Sequence, residues 1–439
     1  MKNSAFQIIF LAVFGALAAA GLLIFAFAVG GEDESAVIGR VEIWGTLDGE
    51  AFDSVFEELV QYDPSITGIS YVQKDSTLFD QELTNALAEN RAPDMYIVGS
   101  DEAVKTSAKV TVIPYESVSR KQFKDWYIEA ANPFLGLKGI IAIPFIVDPL
   151  ILYWNRDLFA AAGYPEPPRY WDEVPQMAQR LTVRDTTGAI QTSAIALGTY
   201  RNVEDAKAIL SMLITQAVGE SQSVSDTIVG MDESGQQRSL LSLDYGRDEP
   251  PSVSALRFYT EFANPAKTDY SWSGSFESAR QAFAHGQAAL YVGFASEDGL
   301  IRAINPNLNY SVAPVPQVRD SKRPSTFARV YGFAVPLASK NRDGAFLAAQ
   351  RLNTATSSTA FAKRFGIGSA SREALKMPTD NDHEFINRMA LVSKNWADPD
   401  PKLTDEIFRA MIENTASGAA SPIEAVSRAN QELEHIFRE

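Results

Sequence analysis

The sequence predicts an α/β protein on an open, mainly parallel sheet, preceded by a transmembrane helix. Two observations carry this. Between residues 37 and 98, apolar patterns of period 2 and period 3.6 alternate in the order β-α-β-α-β, as in a parallel sheet. From Ser4 to Gly31 no residue is charged, a run longer than the roughly 20 apolar residues that span a bilayer.

Composition bounds the function. At about 100–200 residues per domain, 439 residues make two or three domains. The chain has no cysteine, which excludes disulfide scaffolds, thiolate metal sites, cysteine nucleophiles and a thiol-linked lipid anchor. His285, His383 and His435 are too scattered to build a metal site, so neither metal nor cofactor is expected. A net charge of −16 disfavours nucleic acid.

Lys2 precedes the apolar run and Glu32, Asp33 and Glu34 follow it, which orients the rest of the chain outside the cytoplasm. Two readings of residues 5–30 stand. One is a cleaved signal with Ala26-Phe27-Ala28 as its site. The other is an uncleaved anchor, favoured because signal cores run only about 7–15 residues.

The elements follow in order. Residues 37–44 alternate and end at Gly45-Thr46, a strand. Residues 51–62 place Phe52, Val55, Phe56, Leu59 and Val60 on one helical face, which Pro64 ends. A strand over 69–73, a helix over 77–90 and a strand over 92–98 complete the first unit. Ligands of such sheets sit beyond the carboxyl ends of strands, here Trp44-Gly45-Thr46 and Gly99-Ser100-Asp101. Residues 139–154 read as two apolar strand runs broken at Val147-Asp148-Pro149, a crossing between lobes. Helices follow over 155–162 and 171–181, separated by the proline-rich linker Tyr164–Pro168. The polar stretch 220–249 reads as a surface loop. A helix over 276–283, capped by Gly286, leads to a strand over 288–292. Strands over 310–316 and 331–336 flank a polar loop, 317–329. The last helix has Ser421 as N-cap, Pro422 at N1 and Glu424 at N3, a capping box.

Four stretches stand out in order: Ala92-Pro93-Asp94; residues 139–182, with Tyr153-Trp154-Asn155-Arg156-Asp157-Leu158-Phe159, Ala162-Gly163, Pro167-Pro168 and Tyr170-Trp171-Asp172-Glu173; residues 283–290 around Gly286; and Tyr331-Gly332-Phe333-Ala334-Val335. Together they resemble the family 1 extracellular solute-binding proteins of ABC importers, the maltose/oligosaccharide-binding group. The second stretch is the most specific. The resemblance covers roughly 40–439 and implies a two-lobed, periplasmic-binding-protein-like (type II) fold that closes on ligand by a hinge. Carried over, lobe one is 38–147 plus 314–365, and lobe two is 148–313 plus 366–439. The chain departs from the pattern in lacking the lipidated cysteine, in carrying Phe327-Ala328-Arg329-Val330 where glycines are common, and in the stretch 220–249.

Sugars are held by aromatic faces with carboxylates and amides on their hydroxyls. The candidate cleft residues are Trp44, Thr46, Asp48, Ser100, Asp101, Asp148, Tyr153, Phe294, Arg329, Tyr331, Gly332 and Trp396. Trp44 is a platform or a core residue; Asp101 lines the cleft or favours a helix N-terminus. Arg329 suits a carboxylate ligand or forms an ordinary ion pair. By the resemblance, the chain is a non-enzymatic, monomeric binding protein for a small solute, a carbohydrate in the first reading, delivered to ABC permease subunits. An anchored sensor ectodomain, an acidic or peptide-like ligand and a glycoside hydrolase remain alternatives. No nucleophile elbow, metalloprotease, P-loop or dinucleotide motif is present.

Overall fold

The computed structural model describes residues 38–219, 228–231, 236–319 and 321–438. The first unit is β1 (Val41–Gly45), α1 (Gly49–Val60), β2 (Ile69–Gln73), α2 (Phe79–Ala88) and β3 (Met95–Gly99). β1 lies between β2 and β3 and runs parallel to both. Asp48 starts α1 by accepting the Ala51 N–H at 2.7 Å, and Phe52, Val55, Phe56 and Leu59 bury its inner face.

β4 (Ile143–Asn155) is one unbroken strand of 13 residues, so the break expected at Val147-Asp148-Pro149 is absent. The proline is tolerated because the ladder changes partners there. Residues up to Pro149 pair with β8 (Thr326–Ala334, below), and residues from Leu150 pair with the strands of a second wing. Asn155 then caps α3 (Arg156–Ala161) by accepting the Asp157 and Leu158 N–H groups.

The second wing holds α4 (Val174–Leu181), β5 (Ile190–Ile195), α5 (Ala206–Val218), α6 (Pro251–Glu261), α7 (Ala279–Ala284), β6 (Ala288–Phe294) and β7 (Tyr310–Ala313). β6 pairs antiparallel with β4 and parallel with β5. α7 begins three residues later than expected. Asn202 bonds the carbonyls of Ser273 and Phe276, and Phe276 stacks on Trp272 at 4.6 Å, which holds this approach out of helical geometry. Gly286 takes φ +74° after the helix, as its C-cap role requires. The described part of 220–249 is more than a loop. Val229–Met231 and Gln237–Ser239 form a hairpin that buries Ile228, Leu240 and Leu241.

β8 (Thr326–Ala334) starts five residues before the expected strand, inside the stretch read as a polar loop. Its residues alternate buried and half-buried from Thr326 to Tyr331, and Thr326 Oγ1 donates to the Leu150 carbonyl at 2.7 Å. β8 joins β3 on one side and β4 on the other, giving the order β2-β1-β3-β8-β4-β6-β5. β9 (Gly368–Ser369) pairs with Val147 and Ile146 of β4. The chain just past 366 therefore sits with the first wing. It leaves at β10 (Ser393–Lys394), beside β8. α8 (Pro401–Ala416) and α9 (Pro422–Ile436) close the second wing, α9 with the expected capping box. Among the described residues no helix is long and apolar enough to cross a membrane. The apolar run 4–31 lies outside the described residues.

Candidate functional site

The carboxyl ends of strands from both wings meet over one rung of the shared sheet. β3 ends at Gly99, opposite Tyr331 of β8. β6 ends at Phe294, opposite Leu150 of β4. Between these two pairs, Arg329 of β8 stands opposite Asp148 of β4.

Arg329 joins the two ends. Its Nε lies 3.5 Å from Asp101 Oδ2, just after β3, and its guanidinium sits 5.0 Å from the centre of the Phe294 ring, at the end of β6. Its side chain is 40% exposed, so it faces the gap between the wings. Asp148 is 3% exposed and its Oδ1 accepts the Ser296 N–H at 3.1 Å. Burial pushes its carboxyl up to about 6, against the pull of Ser296 and Arg329.

A second acid group forms the second wing's wall. Glu297 Oε1 accepts the Phe294 N–H at 3.0 Å, while Oε2 accepts from Arg280 at 3.2 Å and from the Tyr291 hydroxyl. Asp205 lies at the entrance to α5 but does not cap it. Its carboxyl faces Glu297 instead, and burial and that neighbour raise its pKa well above the carboxylate range. Glu297 receives three donors, whereas Asp205 Oδ2 is buried without a hydrogen-bond partner.

The sequence candidates divide between this gap and the packed interior. Trp44 is half-buried, with its indole N–H on Glu42 at 2.6 Å and Lys74 Nζ 3.8 Å from the ring centre. Thr46 is exposed beside it, and Asp48 is exposed as the cap of α1. Asp101, Asp148, Arg329 and Tyr331 lie together on the floor. Phe294 is there too, but 4% exposed, with the guanidinium of Arg329 over its ring.

Four candidates are packing residues. Ser100 is buried, and its Oγ accepts the Val330 N–H at 2.9 Å and the Asn395 amide at 2.7 Å, tying β3 to β8 and to the crossing after β10. Tyr153 is buried against Phe283, Tyr291 and Tyr310, with its hydroxyl donating to the Phe294 carbonyl at 2.8 Å. Gly332 is a close-approach position, where a Cβ would lie 3.0 Å from that of Ala142. Trp396 is 5% exposed, stacks on Phe408 and donates to Ser211 Oγ at 3.2 Å. It does not hang over the gap, because Phe408 of α8 and Ser211 of α5 hold it inside the second wing.

Asp205, Ser296 and Glu297 are absent from the sequence candidates. One signal pointed to Asp205: the apolar run Ala194–Leu197 ends at Gly198-Thr199-Tyr200, as β1 ends at Trp44-Gly45-Thr46. Each is a strand whose carboxyl end gives way to a turn facing the gap, from opposite wings.

Residues 46–359 match the family described as bacterial extracellular solute-binding protein. The mannitol-binding protein of Pseudomonas aeruginosa is 28% identical over 156 residues, 35% of each chain. The matched stretches span about two fifths or less of the curated relatives' length. The fold of the cyclic alpha-maltosyl-1,6-maltose binding protein from Arthrobacter globiformis superposes with a TM-score of 0.71 at 17% identity, covering 91% of this chain and 99% of that one. An ABC transporter solute-binding protein from Thermotoga lettingae, bound with alpha-D-tagatose, gives 0.66 at 21% identity, covering 91% and 100%. The two wings are therefore the lobes of a periplasmic-binding-protein-like fold.

Proposed function

The chain belongs to the bacterial extracellular solute-binding protein family, and on that premise we propose that it captures a neutral sugar, polyol or oligosaccharide between its lobes and delivers it to an ABC permease. The observation that carries this reading is the single side chain, Arg329, touching the strand ends of both lobes. A ligand lying there meets both lobes at once, which is what drives hinge closure. The half-buried indole of Trp44, the hydroxyl of Thr46, Asp101 and Tyr331 supply an apolar face and polar groups for hydroxyls. Neutrality follows from the charges. Arg329 is already matched by Asp101, and Glu297, Asp148 and Asp205 add acceptors and acid rather than spare cations. Mannitol in the Pseudomonas relative and tagatose in the Thermotoga neighbour are solutes of this class.

In this reading lobe one is 38–147 plus 330–365 together with the segment that carries β9, and the crossings are β4, β8 and 393–396; lobe two is the remainder and includes 314–325, expected in lobe one, because the Pro316 and Ser325 carbonyls accept from Gln216 and Arg319 pairs with Asp172. The charge-free run 4–31 tethers the protein to the outside of the cell membrane. A thermal-shift screen at millimolar mannitol, tagatose, maltose and glucuronate tests the ligand class. A neutral member that raises the melting temperature is expected, and stabilisation by glucuronate alone would overturn it. Cell fractionation tests the tether: the full chain should remain with membranes, and a soluble product beginning near Val29 would show a cleaved signal instead.

A further inference from the structure

A cavity of about 440 Å³ lies at the far edge of lobe two, lined by Trp154, Tyr164, Pro165, Arg156, Asp157 and Asn309. It is separate from the gap between the lobes. Trp154 stands six residues along β4 from Asp148, about 20 Å at strand rise. Trp154 also points to the opposite face of the sheet from Tyr153, whose side chain is buried.

The walls are fixed by contacts behind the lining and by one between two lining residues. Phe159 packs against Trp154 with ring centroids 5.3 Å apart, in edge-to-face geometry. The guanidinium of Arg180 sits 5.1 Å from the centre of the Tyr164 ring. Gly163 turns the chain at φ +78° into the proline-rich linker, which sets Pro165 at the rim. Asn309 Nδ2 donates to Asp157 Oδ1 at 2.6 Å, fixing the carboxylate. The Arg156 guanidinium and the Trp154 indole N–H have no side-chain or backbone acceptor among the described residues. The result is two aromatic rings and a pyrrolidine as apolar surface, a carboxylate with a free second oxygen, a free guanidinium and a free indole N–H. The charges of Arg156 and Asp157 cancel. That combination suits an uncharged ring with an apolar face and hydroxyl groups at its rim.

We propose that this cavity is a second carbohydrate site, outside the inter-lobe gap, that takes one neutral pyranose residue. The ring packs on Trp154. Its hydroxyls donate to Asp157 and accept from Arg156 and the indole N–H. Because the cavity is open on one side, the ligand is a single residue or the end of a longer saccharide.

The test uses the full chain labelled with ¹⁵N at tryptophan, with the Trp154 indole signal assigned by its absence in Trp154→Phe. Titration with methyl mannoside and methyl glucoside to 100 mM should shift that signal in a saturable way. Arg156→Ala, an exposed position, should weaken the shift by tenfold or more, and Arg329→Ala in the inter-lobe gap should leave it unchanged. No saturable shift with either glycoside would overturn the proposal. So would an equal shift with inorganic phosphate, which would mark the cavity as an anion patch, or a shift that Arg329→Ala abolishes, which would trace it to the inter-lobe gap.

Discussion

Asp148 shows how one buried residue on the shared sheet links stability to pH. Its carboxyl is raised from 3.8 to about 6, burial being the dominant cause. The folded chain therefore holds a proton between pH 4 and 6 that the unfolded chain has released. The contribution is present below pH 4, declines as pH rises to 6 and is flat above. The span is about 3 kcal/mol. Asp148→Asn keeps an oxygen for the Ser296 N–H and cannot titrate. Urea unfolding from pH 4 to 7 should show variant stability rising relative to the parent by up to that amount; parallel pH profiles would refute the assignment. The tryptophans divide on the same reasoning. Trp396→Ala removes a packed, hydrogen-bonded indole and should cost about 3–5 kcal/mol of stability by denaturant midpoint. Trp44→Ala, half-exposed at a strand end, should cost less than about 1 kcal/mol of stability and weaken sugar binding by about 1–3 kcal/mol in calorimetry.

At the scale of elements, lobe two depends on a clasp between α5 and α8. Lys207 Nζ reaches Asp398 Oδ2 at 2.6 Å, Thr404 Oγ1 at 2.7 Å and the Pro401 carbonyl at 3.3 Å. Asp398 is almost wholly buried, and burial raises its carboxyl to about 6 even beside the ammonium. Lys207→Met leaves an uncompensated buried carboxylate and should cost about 3–5 kcal/mol. The loss should be larger at pH 8 than at pH 5, because below its raised pKa Asp398 is neutral and needs no partner. Chemical unfolding at the two pH values checks this; an equal loss at both would mean that the lysine acts through packing alone. The elements also show what was legible in the sequence. The first four, from β1 to α2, could be read because each buries one face and so keeps a clean period, and β3, buried throughout, was legible as a short apolar run ending at Gly99. α5 could not, since it buries residues on nearly every side, from Ala206 to Val218. β4 misled in the opposite way. A proline in a strand signals a break, but here the ladder changes partners at Pro149 and needs no N–H from it. The site was legible where a strand end announced it, as at Asp101, or where the chain departs from the family pattern, as at Arg329. Burial decided the rest. Tyr153 and Trp396 are aromatic residues beside strand ends, as Trp44 is, and only the packing of distant segments against them removes them from the gap.

At the scale of the molecule, β4, β8 and the crossing after β10 join the lobes, so a rotation of one lobe must bend these three segments together. Their contacts identify which side chains feel it. Ser100 ties β8 and Asn395 to lobe one, and Thr326 ties β8 to Leu150 at the start of the lobe-two half of β4. Arg329 lies between these ties and touches Asp101 in one lobe and Phe294 in the other. Closure on a sugar should therefore shorten the molecule without unfolding any element. Small-angle scattering of the full chain at saturating ligand should show a smaller radius of gyration than without ligand. At 100 times the dissociation constant the ligand should add about 2.7 kcal/mol of stability. Arg329→Ala removes the contact that spans the gap and leaves the three crossings intact. It should weaken sugar binding while ligand-driven compaction persists at saturation, because the hinge lies in the backbone of β4 and β8 rather than in that side chain. An unchanged radius of gyration in the parent protein at saturation, with binding verified by calorimetry, would rule out the hinge. Loss of compaction in Arg329→Ala alone would mean that the guanidinium itself carries the coupling between the lobes.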